Sequence, residues 1–164
     1  MVFKGVLPFE KGTEKEDLFC NKLRIFHATM QEQGARVQDL DKILTRWSMA
    51  KDTIIIRKCV ISDERKRKVF EEEICSAINN HLGDQYQLFN WILGYYFHIP
   101  NMDHHSGICS TILAEVFMES GIFVKNFPHA NSFSAGNFDQ KSFKLDFQEG
   151  IIFGSDLKLT GVLK

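Results

Sequence analysis

Charge of one sign is what this sequence most lacks: 20 Lys and Arg stand against 21 Asp and Glu, a formal net charge of -1 over 164 residues. A chain so balanced has no global field to gather nucleic acid or an anionic membrane, so composition argues against a nucleic-acid partner. Cysteine is nearly as scarce. The four, at positions 20, 59, 75 and 109, are too few for a disulfide scaffold and lack the C-x-x-C pairing of zinc sites, which predicts reduced thiols. No apolar run approaches the roughly eighteen residues of a membrane span, and the first nine residues lack an apolar leader core behind a basic start. The expectation is an intracellular, cytoplasmic protein without a transmembrane segment. No repeat, low-complexity tract or linker divides the chain. Residues 1–164 are therefore expected to form one domain with a proper core.

What is present is an irregular mixture of strand and helix signals. Val2 to Phe9 and Leu23 to Met30 read as strands that could form a hairpin with a long tip, and Gln31-Glu32-Gln33-Gly34 marks the next turn. Asp39 is placed to cap a helix with apolar residues at Leu40, Ile43, Leu44 and Trp47. Thr53 to Ile61 is β-branched throughout and reads as a central strand. Ser62-Asp63-Glu64 supplies the cap and acidic first turn of a helix whose stripe runs Phe70, Ile74, Ala77, Ile78, His81 and which Gly83 stops. Tyr86 to Phe97, apolar on all sides, predicts a buried helix or one lining a cleft. Cys109 to Ser120 predicts a helix with Ile108, Ile112, Leu113, Val116 and Phe117 inward and Gly121 just past its end. Phe127 to Asn137 reads as loop, and Ile151 to Leu159 as a closing strand or hairpin. Strands precede, interrupt and follow helices without βαβ alternation, so the class is α+β with an antiparallel sheet.

Cys109 stands where a loop gives way to an amphipathic helix, and the positive end of the macrodipole there favours a thiolate, the nucleophilic form. His27 lies in an alternating strand, sharing a face with Ile25 and Thr29; taken alone it reads as a partly buried, hydrogen-bonded residue. Cys20, Cys59 and Cys75 read as structural. Asp103-His104-His105 matches no standard zinc spacing and reads as a polar loop rim. Arg65-Lys66-Arg67-Lys68 followed by Glu71-Glu72-Glu73 sets opposite charges three and four residues apart, the pattern of a solvated helix face.

Four stretches in order give the chain a family likeness. Phe26-His27-Ala28-Thr29 with Gly34-Ala35-Arg36-Val37-Gln38-Asp39-Leu40, then Ile54-Ile55-Ile56-Arg57, then Leu82-Gly83-Asp84-Gln85-Tyr86, then Cys109-Ser110-Thr111-Ile112-Leu113-Ala114-Glu115 resemble the core segments of the circularly permuted NlpC-type papain-like cysteine enzymes. That group includes lecithin:retinol acyltransferase-like proteins and a poxvirus member. Asn131 to Phe138 also resembles one of the family's turns, with Ala135 where proline is usual. The resemblance implies a permuted papain-like α+β fold and hydrolysis or transfer of a peptide, lipid or other acyl group through a Cys109 thioester, with no cofactor or metal. It puts Cys109 in the nucleophile position and His27 in the position of the polar residue that orients the base. The base histidine of the family's "S-H-V-G-I" strand falls on Phe3, in Val2-Phe3-Lys4-Gly5-Val6. Phenylalanine can neither take nor return a proton. The expectation is therefore an impaired thiol enzyme or an inactive binding or regulatory module, a chain shortened at its start, or a site in which His27 has become the base.

Overall fold

The computed structural model describes residues 1–14, 16, 22–30, 34–50, 54–100, 105–124, 129–138 and 147–159. Cys20, the turn expected at Gln31 to Gln33, and Asp103 and His104 lie outside them. The chain is a mixed α and β structure built on small, mainly antiparallel sheets. Strand β1 (Val2–Lys4) pairs antiparallel with β2 (Leu23–Thr29), which pairs antiparallel with β3 (Gly34–Asp39). The long-tipped hairpin expected from the sequence is thus formed, although β1 is short and Pro8–Glu10 turns into a 3-10 helix. Helix α1 (Leu40–Ala50) follows β3 directly.

Strand β4 (Ile54–Ile61) is not a central strand among the described residues. It pairs antiparallel with β7 (Ile151–Leu159) alone, as a separate ribbon with a register shift between Arg57 and Cys59. Its β-branched residues fit any pleated surface, so that composition reports strand but not strand order.

Helix α2 (Glu64–Asn80) starts as the sequence predicts: Asp63 accepts hydrogen bonds from the Arg65 and Lys66 amides at 2.8 and 3.3 Å. Replacing Asp63 with Ala leaves those donors to water and should cost about 1 kcal/mol in denaturant unfolding, with the slope unchanged. Next come β5 (Gln85–Tyr86), α3 (Leu88–Phe97), β6 (Ser106–Gly107) and α4 (Cys109–Glu119). β5 and β6 pair in parallel, in addition to the antiparallel sheet that the sequence led one to expect.

The core lies between the β1–β2–β3 sheet and helices α2 and α4. Phe3, Phe26 and Ala28 pack with Ile78 of α2 and with Ile112, Ala114 and Val116 of α4. Gly121 takes the left-handed conformation after the Ser120 C-cap and ends α4, as its place in the sequence suggests. The expected inward stripe of α4 is too narrow: Ser110, Thr111 and Glu115 are buried as well. Helix α3 differs more. Only Gly94 of it is buried, and Leu88, Phe89, Tyr96 and Phe97 are exposed. Its inner side is held by polar bonds to the turn at Ala130–Ser132: Asn131 donates to the Asn90 and Ile99 carbonyls, and the Trp91 indole donates to the Phe133 carbonyl.

Candidate functional site

Cys109 is the first residue of α4, and Ile108 precedes it in extended conformation with no side-chain cap. The opening N–H groups of a helix have no partner within it, so this thiol sits among outward-facing backbone donors. The helix behind it is buried, with the Ser110 hydroxyl donating to the Phe133 carbonyl at 2.8 Å, while Cys109 itself is exposed. The thiol is therefore accessible at the start of a largely buried helix. Burial raises the pKa of both Cys59 and Cys75, whose thiols are correspondingly poorer nucleophiles.

Two groups interact electrostatically with Cys109. Burial raises the Tyr86 phenol, and Cys109 adds to that rise. The Met1 amine, which donates to the Phe26 carbonyl at 2.7 Å, is lowered by burial to about 6, against the opposing effect of Cys109. The beginnings of β1 and of the Tyr86 segment thus flank the thiol.

Strand registry then places the other expected site residues. Phe3 pairs with Arg24, is buried, and has the Arg24 guanidinium 5.1 Å from its ring centre. Met1 is one pleat closer than Phe3 to the thiol end of the strand. His27 is half-buried opposite Arg36 on β3. Its neighbours Phe26 and Ala28 belong to the core that includes Ile112 of α4, so alternation turns the His27 side chain to the other face of the sheet. The face directed at α4 carries Phe3 and Phe26. A cavity of about 610 Å³ opens elsewhere, walled by residues such as Phe9, Glu10, Arg36 and Leu82 rather than by α4.

A second constellation gathers at the end of α2. His81, at the end of α2, has Nδ1 hydrogen-bonded to Asp84 Oδ2 and Nε2 at 3.0 Å from Glu119 Oε1. His105 Nδ1 lies 3.0 Å from Asp84 Oδ1, and Glu115 Oε2 lies 3.8 Å from His81 Nδ1. Burial works against a charged His81 ring, but the Asp84 hydrogen bond and the charges of Glu119, Asp84 and Glu115 outweigh it and raise the pKa. The loop-rim reading of Asp103 to His105 is thus too plain for His105. One signal of this cluster was visible in the sequence: Glu115 and Glu119 stand four apart on a helix otherwise rich in apolar residues, one above the other on one face.

Within the described residues His105 is engaged with Asp84. Three residues, Ser106 to Ile108, separate His105 from Cys109 along the chain. The two constellations are neighbours along the chain. No helix among the described residues is long and apolar enough to cross a membrane. The chain matches no family model, no curated protein and no solved structure.

Proposed function

We propose that the chain is a papain-like domain of the thiol hydrolase and acyltransferase kind that lacks efficient turnover and serves as a binding or regulatory module. The carrying observation is the face turned towards α4: it bears Phe3 and Phe26, with the His27 side chain directed to the other side of the sheet. An acyl transfer at Cys109 would need its thiol proton removed, the sulfur–carbon bond formed as the ester oxygen leaves, and the leaving group protonated. The first N–H groups of α4 are suited to the oxyanion of that step. The proton transfers are what this face is poor in, and they are worth about 10²–10⁴ in rate.

Incubation with p-nitrophenyl acetate tests the proposal. The expected result is slow, single modification of Cys109 seen by mass spectrometry, no repeated turnover, loss of the adduct in Cys109→Ser and an unchanged rate in His27→Ala. Cys75→Ser should behave as the parent, since that thiol is buried. Sustained turnover that disappears in Cys109→Ser and falls 100-fold or more in His27→Ala would establish an active enzyme with His27 as base instead.

A further inference from the structure

We propose that His81, Asp84 and His105 form a binding site for a divalent cation of the zinc class, closed by Glu115, which fastens the end of α2 to the segment leading into Cys109. The donor atoms of the first three residues all lie within 4.8 Å of one another. Tetrahedral zinc with bonds near 2.0–2.1 Å holds its ligand atoms about 3.4 Å apart, so the two imidazoles must each open slightly from Asp84, by adjustments of the order of an ångström or less. His105 has room for its share, since its side chain is 70% exposed. Glu115 Oε2, 3.8 Å from His81 Nδ1, approaches the cluster on its His81 side from α4.

The outer contacts are as telling as the donors. His81 has two ring nitrogens and uses them in opposite directions: Nδ1 faces the cluster, and Nε2 faces Glu119 Oε1 at 3.0 Å. A carboxylate that accepts the remote N–H of a metal-binding histidine fixes its tautomer and strengthens it as a ligand. Asp84 is fixed too, because its carbonyl accepts the Ala35 amide at 2.9 Å. The site is not an exposed acidic patch. His81, Asp84 and Glu115 are all buried, and three carboxylates with Glu119 converge on two imidazoles. A dication answers that excess of negative charge at the buried side of the cluster, formed by His81, Asp84 and Glu115.

The donor set selects the ion. Two imidazoles and carboxylate oxygens suit zinc better than magnesium or calcium, which prefer oxygen throughout. On binding, the proton between His81 Nδ1 and Asp84 leaves to solvent and the metal takes the Nδ1 lone pair, while the Nε2 proton stays on the ring, hydrogen-bonded to Glu119. The consequence for the fold follows from chain order. His105 immediately precedes β6, whose pairing with β5 leads to Cys109, and Gln85 donates to the His105 carbonyl at 3.0 Å. The cation therefore secures the approach to α4 through His105, and Cys109 is not one of its ligands.

The test is zinc titration of the full chain, freed of any affinity tag and dialysed against chelator, followed by calorimetry and by elemental analysis. One zinc per chain is expected, with proton release that depends on buffer, and a thermal midpoint that rises with zinc concentration. Cobalt(II) should give the visible spectrum of a four-coordinate site without a thiolate charge-transfer band. His105→Ala, at an exposed side chain, should fold as the parent and lose stoichiometric binding. Glu119→Gln should retain one site at about 10–100-fold lower affinity, and Cys109→Ser should bind as the parent. Absence of saturable zinc binding by the parent overturns the proposal. So does undiminished binding by His105→Ala together with Glu119→Gln, or a cobalt thiolate band that Cys109→Ser removes. None of these readouts depends on acyl chemistry at Cys109.

Discussion

Glu10→Ala should lower the unfolding free energy by about 3–5 kcal/mol, the range for removing one member of a buried ion pair. Glu10 and Arg24 are 5% and 3% exposed, and the Arg24 Nη1 to Glu10 Oε1 contact is 2.7 Å. The pair also satisfies the backbone. Arg24 Nη2 donates to the Gly5 carbonyl at 2.6 Å, and Glu10 Oε2 accepts the Leu7 amide at 2.8 Å. Without the carboxylate, a guanidinium remains in the interior beside Phe3, with only part of its hydrogen bonding and no nearby counterion from Glu10. Urea unfolding of the single variant, compared with Glu10→Leu/Arg24→Met, separates charge from packing. The double variant should recover most of the loss, since replacing a whole buried pair by apolar side chains is often neutral or better. A single variant within about 0.5 kcal/mol of the parent would show that the pair does not hold β1, β2 and the Pro8–Glu10 turn together.

The same region shows where sequence and structure part company. Helix limits were legible because their signals are local: Asp63 caps α2 through its own neighbours, and Gly121 ends α4 through its own φ. Hairpin pairing of β1 with β2 was legible from adjacency in the chain. Burial was less so. The all-apolar run of α3 predicts a buried helix, yet the space inside is taken by α2, α4 and the three-stranded sheet, and α3 packs on the Asn131 turn with its aromatic side outward. Strand order failed for β4 for the same reason, since pairing with β7 depends on residues about a hundred positions away.

For the site, the position of Cys109 at the start of a helix could be read from the sequence, and the face of His27 follows from simple alternation. What alternation alone could not supply was the side on which α4 would pack. The His81 cluster was hidden more deeply, because its donors come from the end of α2, a turn, a loop and α4. Each residue looks ordinary in its own segment: His81 as the last member of an apolar stripe, Glu115 as part of a family-like helix, His105 as a polar rim. Only folding brings them together.

Gly34→Ala should be the more damaging of two otherwise identical substitutions. At Gly34, φ is +143°, and a Cβ would overlap the carbonyl oxygen of Asp84. At Gly12, φ is +74° and a Cβ would meet nothing within 4 Å. Both variants carry the backbone cost of a side chain at positive φ, on the order of 1 kcal/mol or more. Only Gly34→Ala must also push β3 away from the Asp84 turn. That movement strains the Ala35 amide bond to the Asp84 carbonyl and the Gly83 amide bond to the Ala35 carbonyl, both 2.9 Å. Buried hydrogen bonds left unmade cost about 1–3 kcal/mol. The expected loss is therefore about 2–5 kcal/mol for Gly34→Ala and about 1 kcal/mol for Gly12→Ala, measured by denaturant unfolding of both. The contrast matters beyond stability because Asp84 is the residue shared by His81 and His105. Displacing its backbone should weaken zinc binding in Gly34→Ala and leave it intact in Gly12→Ala. Equal losses of stability in the two variants would mean that the close approach of β3 to the Asp84 turn contributes nothing, and that backbone conformation alone accounts for both.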